Sequence, residues 1–374
     1  MAARLVLLAA GGTGGPLFPA PAPAHELAAR GWTVHLATDD RVERFAAGFP
    51  AEAVHRIRSA TIGSKSPLAL AAAFWAVWRG VRQASRLIGR IRPDVVVGFG
   101  GYPTLPPVYA ATRRRVPSLI HEQNAVMGRA NRALAGRVTA VAGGFLRASG
   151  PYAAKIVETG NPVRPAVLAA AATPFDAPTA DGPVRLVVFG GSQGARFFSD
   201  VVPDAIAALP QDLRRRLCLT QQARAEDRAR VAARYAELGV EAEVSPFFKD
   251  LPARMAGAHL VLSRSGASTV LELSVIGRPS ILVPLPHALD DDQGYNAQIL
   301  VDAGGAILRR QPAIDAGNLA ADIARLLGDP ARLTAMAAGA RGVGRTGATQ
   351  LLADLTEAIA SGKSVTDFRK EARA

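Results

Sequence analysis

The sequence has a single cysteine in 374 residues, Cys218. One thiol cannot form an internal disulfide, so nothing indicates an oxidising compartment and a cytoplasmic protein is expected. Aromatic residues make up only 6%, and acidic residues are outnumbered 31 to 44 by basic ones, leaving a net charge of +13. That excess attracts phosphates, nucleic acid or an anionic membrane face, and composition does not choose among them. Long hydrophobic runs are also lacking. The longest, Leu68 to Trp78, would reach about 16 Å as a helix against roughly 30 Å of hydrocarbon. Leu5 to Ala10 runs straight into glycines, is shorter than a signal-peptide core and reads as a buried first strand. Histidines 25, 35, 55, 121, 259 and 287 form no i, i+4 pair or close cluster, so metal catalysis is not supported. What is abundant is apolar material, 49% of residues against 20% charged, enough for packed cores, and the length points to two domains.

Short apolar runs alternate with amphipathic segments, and most runs end in Gly, Ser or Asp before a helix-like pattern begins, which is βαβ grammar. Strands are predicted at Leu5 to Ala10, Thr33 to Ala37, Asp94 to Gly98, Ser118 to His121 and Val138 to Val141. A second set follows at Val184 to Phe189, Leu217 to Thr220, Glu241 to Val244, Leu260 to Ser263 and Ser280 to Pro284. Between the sets, Glu158 to Arg164 and the Ala/Pro/Asp-rich stretch up to Pro183 read as a linker. The fold class is therefore α/β, two Rossmann-like domains with parallel sheets facing across a cleft. The boundaries are 1–163, 164–345, and a C-terminal helix and tail over 346–374 whose helix returns to the N-terminal domain. Ser361 to Ala374 is polar and reads as a frayed end, and its Gly362-Lys363-Ser364 lacks the earlier glycine and strand of a phosphate-binding loop.

Each half opens with a strand, a glycine turn and a helix: Gly11-Gly-Thr-Gly-Gly15 first, Gly190-Gly-Ser-Gln-Gly194 later. Such loops let backbone N–H groups approach an oxygen-rich group at a helix start, or they merely make tight turns. A dinucleotide fingerprint fits poorly, because Leu17 stands where its third glycine belongs. Ser265, Gly266 and Ala267 repeat the pattern at a third strand end, followed by Glu272. That carboxylate could accept two ribose hydroxyls or simply complement a helix dipole. The polar loop from His287 to Asn296 suits sugar hydroxyls, while its Asp290 to Asp292 run resembles a metal-holding D-x-D element or a solvated helix start. His121 and Glu122 share a strand end, and Cys218 reads as inert core.

From Phe74 to Ile91, at about 100° per residue, Arg79, Arg82, Arg86 and Arg90 form one stripe. Phe74, Val77, Val81, Ala84, Ile88 and Ile91 cluster opposite it. Trp75 falls within the arginine stripe, which suits an interfacial membrane contact or a ring packed on a neighbouring loop. The candidate contact comprises Phe74, Trp75, Trp78, Arg79, Arg82 and Arg86.

Taken in order, Gly11 to Gly15, Gly98-Phe-Gly-Gly-Tyr102, His121-Glu-Gln-Asn-Ala125 with Gly128 to Asn131, Gly160-Asn-Pro-Val-Arg164, Gly190 to Arg196, and Arg264 to Ala267 with Glu272 resemble the MurG family. Those are peripheral-membrane N-acetylglucosaminyltransferases of peptidoglycan synthesis, and the resemblance covers about residues 4 to 350. It implies a GT-B fold with the lipid-linked acceptor on the N-terminal domain and UDP-N-acetylglucosamine mainly on the C-terminal one. The implied reaction moves N-acetylglucosamine, with inversion, to the C4 hydroxyl of undecaprenyl-pyrophosphoryl-N-acetylmuramyl-pentapeptide, the last cytoplasmic step of precursor synthesis.

By the same resemblance, Ser192 and its loop with Arg164 would hold the phosphates and Glu272 the ribose. Asp292 and Gln293 would hold the sugar, with Gly266, Ala267 and Asn124 also at the donor. Thr13, Gly14, Gly15, Tyr102 and Asn124 would meet the acceptor, and Glu122 or His121 would act as base. No metal and no cofactor are implied. The implied location is the cytoplasmic face of the cell membrane, on its anionic surface, with cell-wall synthesis complexes as candidate partners and no nucleic acid. One departure stands out: the family has a histidine after Gly15, and this chain has Pro16. Proline cannot accept a proton, so the alternative is a nucleotide-sugar-binding GT-B protein with weak or different transferase activity.

Overall fold

The computed structural model describes residues 4–11, 19–39, 48–60 and 66–372, apart from the side chains of residues 69, 192–195 and 289. The chain divides into two compact units, Met1–Arg164 with Arg345–Ala374, and Pro165–Gly344. Each is built on one parallel sheet.

The first sheet runs in the order β3-β2-β1-β4-β5-β6-β7. Its strands are β1 (Leu5–Ala9), β2 (Thr33–Thr38), β3 (Ala53–Arg56), β4 (Val95–Gly98), β5 (Ser118–Glu122), β6 (Ala140–Gly143) and β7 (Ile156–Val157). Val6 to Ala9 pair with Val95 to Gly98, so β1 and β4 end level with one another. Successive β1 residues are buried on opposite faces, as a sheet covered on both sides requires. Val6 and Leu8 pack with Leu27, Leu352, Leu355 and Phe368. Leu7 and Ala9 pack with Ala84, Ile88 and Val108 from the helices Pro67–Ile91 and Leu105–Arg113. The second sheet runs β10-β9-β8-β11-β12-β13. Its strands are β8 (Val184–Phe189), β9 (Leu217–Gln222), β10 (Glu241–Ser245), β11 (Leu260–Ser263), β12 (Ser280–Leu282) and β13 (Ala306–Leu308).

In both sheets the strand order reverses beside the opening strand, between β1 and β4 and between β8 and β11. Loops leaving the carboxyl ends there diverge to opposite faces, and ligands of open α/β sheets bind in the resulting crevice. The glycine-bearing segments after β4, β8 and β11 leave those ends, as does Gly11 after β1.

Two sequence expectations are corrected. The linker reading past Arg164 fails, because residues 165–175 are docked on the second unit. Arg278 donates to the carbonyls of Thr173 and Pro174, and Phe175 packs against that unit's core. The tail is not frayed either: Ser364 caps the helix Val365–Glu371, whose Phe368 is buried and whose Arg369 donates to the carbonyl of Ala153 at 2.6 Å.

Candidate active site

At the carboxyl end of β5, His121 and Glu122 are both buried. The Glu122 carboxylate is saturated by its own chain. Oε1 accepts from the Asn124 backbone N–H at 3.1 Å and from Asn124 Nδ2 at 3.1 Å. Oε2 accepts from the Gly128 N–H at 2.9 Å and from Asn131 Nδ2 at 2.8 Å. Burial raises the carboxyl above its ordinary range, and these four donors act in the opposite direction. His121 is equally committed. Its Nε2–H donates to the Gly160 carbonyl at 3.2 Å, while Nδ1 accepts from Gln123 Nε2 at 2.9 Å. Burial lowers its pKa to about 4, so the ring is neutral at pH 7. Asn161 Nδ2 donates to the Gln123 carbonyl at 3.0 Å. The two blocks His121-Glu-Gln-Asn and Gly160-Asn therefore clamp each other. Neither side chain presents a lone pair to a substrate hydroxyl in this arrangement.

Tyr102 is half-buried on the turn after β4. A Cβ on Gly98 would come within 2.3 Å of the Thr104 methyl, so only glycine lets this turn fold back against the strand. Thr104 Oγ1 completes the turn by donating to Gly100 O at 2.6 Å. Asn124 is half-buried on the loop that Glu122 holds. Thr13, Gly14, Gly15 and Pro16 lie outside the described residues.

In the second unit the helix Gly191–Ala207 begins directly after β8, so its first backbone amides point out of the sheet's carboxyl edge. Ser192 lies in its first turn, and its side chain is outside the described residues. Arg164 is exposed at the end of the first unit. The helix Ala267–Ile276 starts after β11 with Gly266 as its N-cap. A Cβ added to Gly266 would meet nothing within 4 Å, so the backbone here borders open space. Glu272 is buried in the second turn, beyond the reach of the dipole reading, which holds only within the first turn.

Gln293 ties the sugar-loop candidates to this helix start: its carbonyl accepts from Ser265 Oγ at 2.8 Å, and its Oε1 accepts from the Leu285 N–H at 3.0 Å. Asn296 is fully buried beside them, its Nδ2 donating to the Ser265 carbonyl at 3.3 Å. Two buried atoms at the end of β11, Ser263 Oγ and Arg264 Nε, have no partner among the described residues. The rest of the Arg264 guanidinium is taken by the carbonyls of Val283 and Pro284 and by Gln311, and burial lowers it to about 10.

The acidic run does not converge. Asp291 forms a two-pronged ion pair with Arg310 at 2.5 and 2.7 Å. Asp292 Oδ1 accepts from the Gln293 N–H at 2.8 Å, and burial raises its carboxyl. Among the described residues no group of three His, Cys, Asp or Glu side chains is placed to hold a metal ion.

Sequence reasoning missed Gln222 and Phe247. Gln222, at the end of β9, accepts from the Gly190 N–H at 3.2 Å and donates to the Pro246 carbonyl at 3.1 Å, joining the glycine turn to the loop after β10. That loop carries Phe247, an aromatic ring 69% exposed. The neighbouring ends of parallel strands were the available signal. On the long helix Pro67–Ile91, Phe74 is 63%, Trp75 58% and Trp78 45% exposed. Phe74, which the helical spacing groups with Val77, Val81 and Ala84, is thus exposed, and the apolar face packs from Val81 onward. Trp75 stacks on Trp78 with centroids 4.8 Å apart, and Arg82 lies 4.8 Å over Trp78. Among the described residues no helix is long and apolar enough to cross a membrane.

Family models described as the glycosyltransferase family 28 N-terminal and C-terminal domains match residues 6–143 and 185–353. The chain is 67% identical, over the full length of both proteins, to the UDP-N-acetylglucosamine–N-acetylmuramyl-(pentapeptide) pyrophosphoryl-undecaprenol N-acetylglucosamine transferase of Mesorhizobium japonicum. It is 62% identical to the transferase of the same name from Chelativorans sp., over 99% of each chain. The crystal structure of Acinetobacter baumannii MurG matches with a TM-score of 0.78 and 29% identity, covering 95% of this chain and 99% of that one. The glycotransferase of kitacinnamycin, at a TM-score of 0.70 and 20% identity over 96% and 100% of the chains, shares the fold. With two parallel-sheet Rossmann-like units and full-length identity of this order, the chain belongs to the MurG family of GT-B glycosyltransferases.

Proposed function

We propose that the chain transfers N-acetylglucosamine from UDP-N-acetylglucosamine to the C4 hydroxyl of undecaprenyl-pyrophosphoryl-N-acetylmuramyl-pentapeptide. The observation that carries this reading is the 67% identity, over all of both chains, to a transferase named for that reaction. In a single inverting displacement the acceptor oxygen bonds to the anomeric carbon as the bond to the UDP oxygen breaks, and the hydroxyl proton leaves to a base or to water.

The roles follow from the chemistry of each group and its place at a strand end. The amides opening the helix Gly191–Ala207 and Arg164 supply positive charge for the departing diphosphate. Glu272 takes the ribose hydroxyls. Gln293 spends Oε1 on Leu285, which leaves its amide hydrogens for a sugar hydroxyl, beside Asp292. The exposed Phe247 ring, linked through Gln222 to the Gly190 turn, serves as a stacking face for the base. On the acceptor unit, Tyr102 and Asn124 meet the lipid-linked sugar together with Thr13, Gly14 and Gly15. His121 and Glu122 are positioning residues that hold Asn124 in place, and the proton acceptor is sought outside this pair. Phe74, Trp75 and Trp78, with Arg79, Arg82 and Arg86, rest on the anionic cytoplasmic face of the membrane. The alternative of a weak or differently specific nucleotide-sugar binder rests on Pro16 alone.

The test is a transfer assay with UDP-N-acetylglucosamine and a short-chain lipid-linked muramyl acceptor, with the product linkage read by NMR. A β-linked disaccharide formed with release of UDP is expected. Release of UDP without a disaccharide, or no turnover with this acceptor, overturns the reading.

A further inference from the structure

At the edge of the first sheet, away from the elements assigned above to the donor, a cavity of about 460 Å³ opens between β3 and the long helix Pro67–Ile91. Its floor is apolar and fixed: Ile57 and Leu87, which line it, are buried members of the core beneath. Its wall is braced by Gln83, whose Nε2 donates to the Arg56 carbonyl at 2.6 Å and whose Oε1 accepts from the Arg58 N–H at 3.2 Å. A Cβ on Gly80 would lie 2.0 Å from the Arg58 carbonyl oxygen, so glycine at this helix position is what lets the strand extension press this close.

Around the opening stand three arginines, Arg56, Arg86 and Arg90. Arg86 and Arg90 are one helical turn apart and exposed, and among the described residues no carboxylate pairs with either. Like charges at i, i+4 destabilise a helix, so an unneutralised pair facing a braced cavity calls for a counter-anion. His55 completes the lining. Its Nε2 lies 3.1 Å from His35 Nδ1, so one ring donates to the other and the two are not both fully protonated while that contact holds. Burial, then His35, then Arg90 lowers the His55 pKa. The titratable group in contact with this ring is His35 on β2, and the cations that share the lining with it are Arg56 on its own strand and Arg86 and Arg90 on the helix.

We infer that this cavity is a binding site for a phosphate-bearing anion, held by Arg86 and Arg90 against the braced β3 wall with His55 at its side. The volume falls in the usual range for small-molecule sites, so there is room for a phosphate that carries an organic group. The inference does not depend on the transfer reaction. Arg86 also belongs to the membrane face proposed above, whereas Arg90 does not, and Arg90 is therefore the position that separates the two roles.

The test follows the His55 ring by NMR through a pH titration of the full chain, in inorganic phosphate or glycerophosphate against chloride of equal ionic strength. A bound anion offsets the cationic field, so phosphate should raise the His55 midpoint by about half a pH unit or more. Arg90→Gln removes a cation and shifts the starting midpoint itself, so the phosphate-dependent change is compared. That change should require about tenfold more phosphate in the variant, while Lys370→Gln, an equal loss of charge outside the lining, should behave as the parent. A second arm replaces soluble phosphate with phosphatidylglycerol vesicles, using phosphatidylcholine as control. A vesicle response lost in Arg90→Gln identifies a lipid headgroup as the source, and a response confined to soluble phosphates identifies a soluble one; both support the site. A His55 midpoint unmoved by any phosphate, or moved equally in parent and Arg90→Gln, overturns it.

Discussion

The two strand ends that look most alike in sequence, a polar cluster after β5 and another after β11, are opposite in their chemistry. Around Glu122 every acceptor position is filled by the chain's own amides. Around Gly266 the backbone borders open space, and two buried polar atoms nearby, Ser263 Oγ and Arg264 Nε, have no protein partner among the described residues. A buried charge that is fully hydrogen-bonded locally serves the fold, because spending any of those bonds on a substrate would leave buried donors unsatisfied. A helix start that borders open space beside unspent polar atoms has the capacity for a ligand.

Breaking the saturated end should have the largest effect. Glu122→Ala leaves up to four donors without their acceptor and should cost about 3–5 kcal/mol of stability, read by urea unfolding. A loss within about 0.5 kcal/mol would show that the network is not structural. His121 gives a related signature in pH. Its folded value near 4 lies below the ordinary 6.5, so as pH falls the unfolded chain takes up the proton first. Its stabilisation is whole above pH 6.5 and fades towards pH 4, by about 3 kcal/mol in total. Stability measured against pH in His121→Asn should lack that acid limb.

The parallel-sheet grammar was legible because interior strands such as Val184–Phe189 are continuous apolar runs, and the structure ends that one where the pattern does. The strands that were missed are β3, β7 and β13, each at a sheet edge. An edge strand is covered less and needs less apolar sequence; β3 alternates half-buried and exposed residues, and β7 is two residues long. The site motifs were visible as blocks, but their roles were not. A His-Glu pair at a strand end reads as an acid–base couple until its partners are known, and those partners include Asn131 in the following helix, Gly128 at its N-cap and Gly160 beyond β7. Ser364 as a cap and Phe368 as a core residue were likewise hidden in a polar tail.

On the open side, smaller and more selective effects are expected. Glu272→Gln should weaken UDP-N-acetylglucosamine binding by about 1–3 kcal/mol in calorimetry, with hydrogen bonds to a charged group lost; unchanged affinity would remove Glu272 from the site. The smallest effect belongs to the long helix. Trp75→Ser should weaken binding to anionic vesicles by about 1 kcal/mol in sedimentation, with the fold intact. Sedimentation equal to the parent would assign the contact elsewhere.

The contrast between the two strand ends is tested most directly by thermal unfolding of Gly266→Leu with and without UDP-N-acetylglucosamine. Gly266 has an ordinary backbone conformation and no neighbour near its Cβ position, so the variant should melt with the parent when no ligand is present. Saturating donor should raise the parent's midpoint through preferential binding to the folded state and leave that of Gly266→Leu unmoved. An equal rise in both proteins would mean that the space beside Gly266 is not where the donor binds, and would contradict the account.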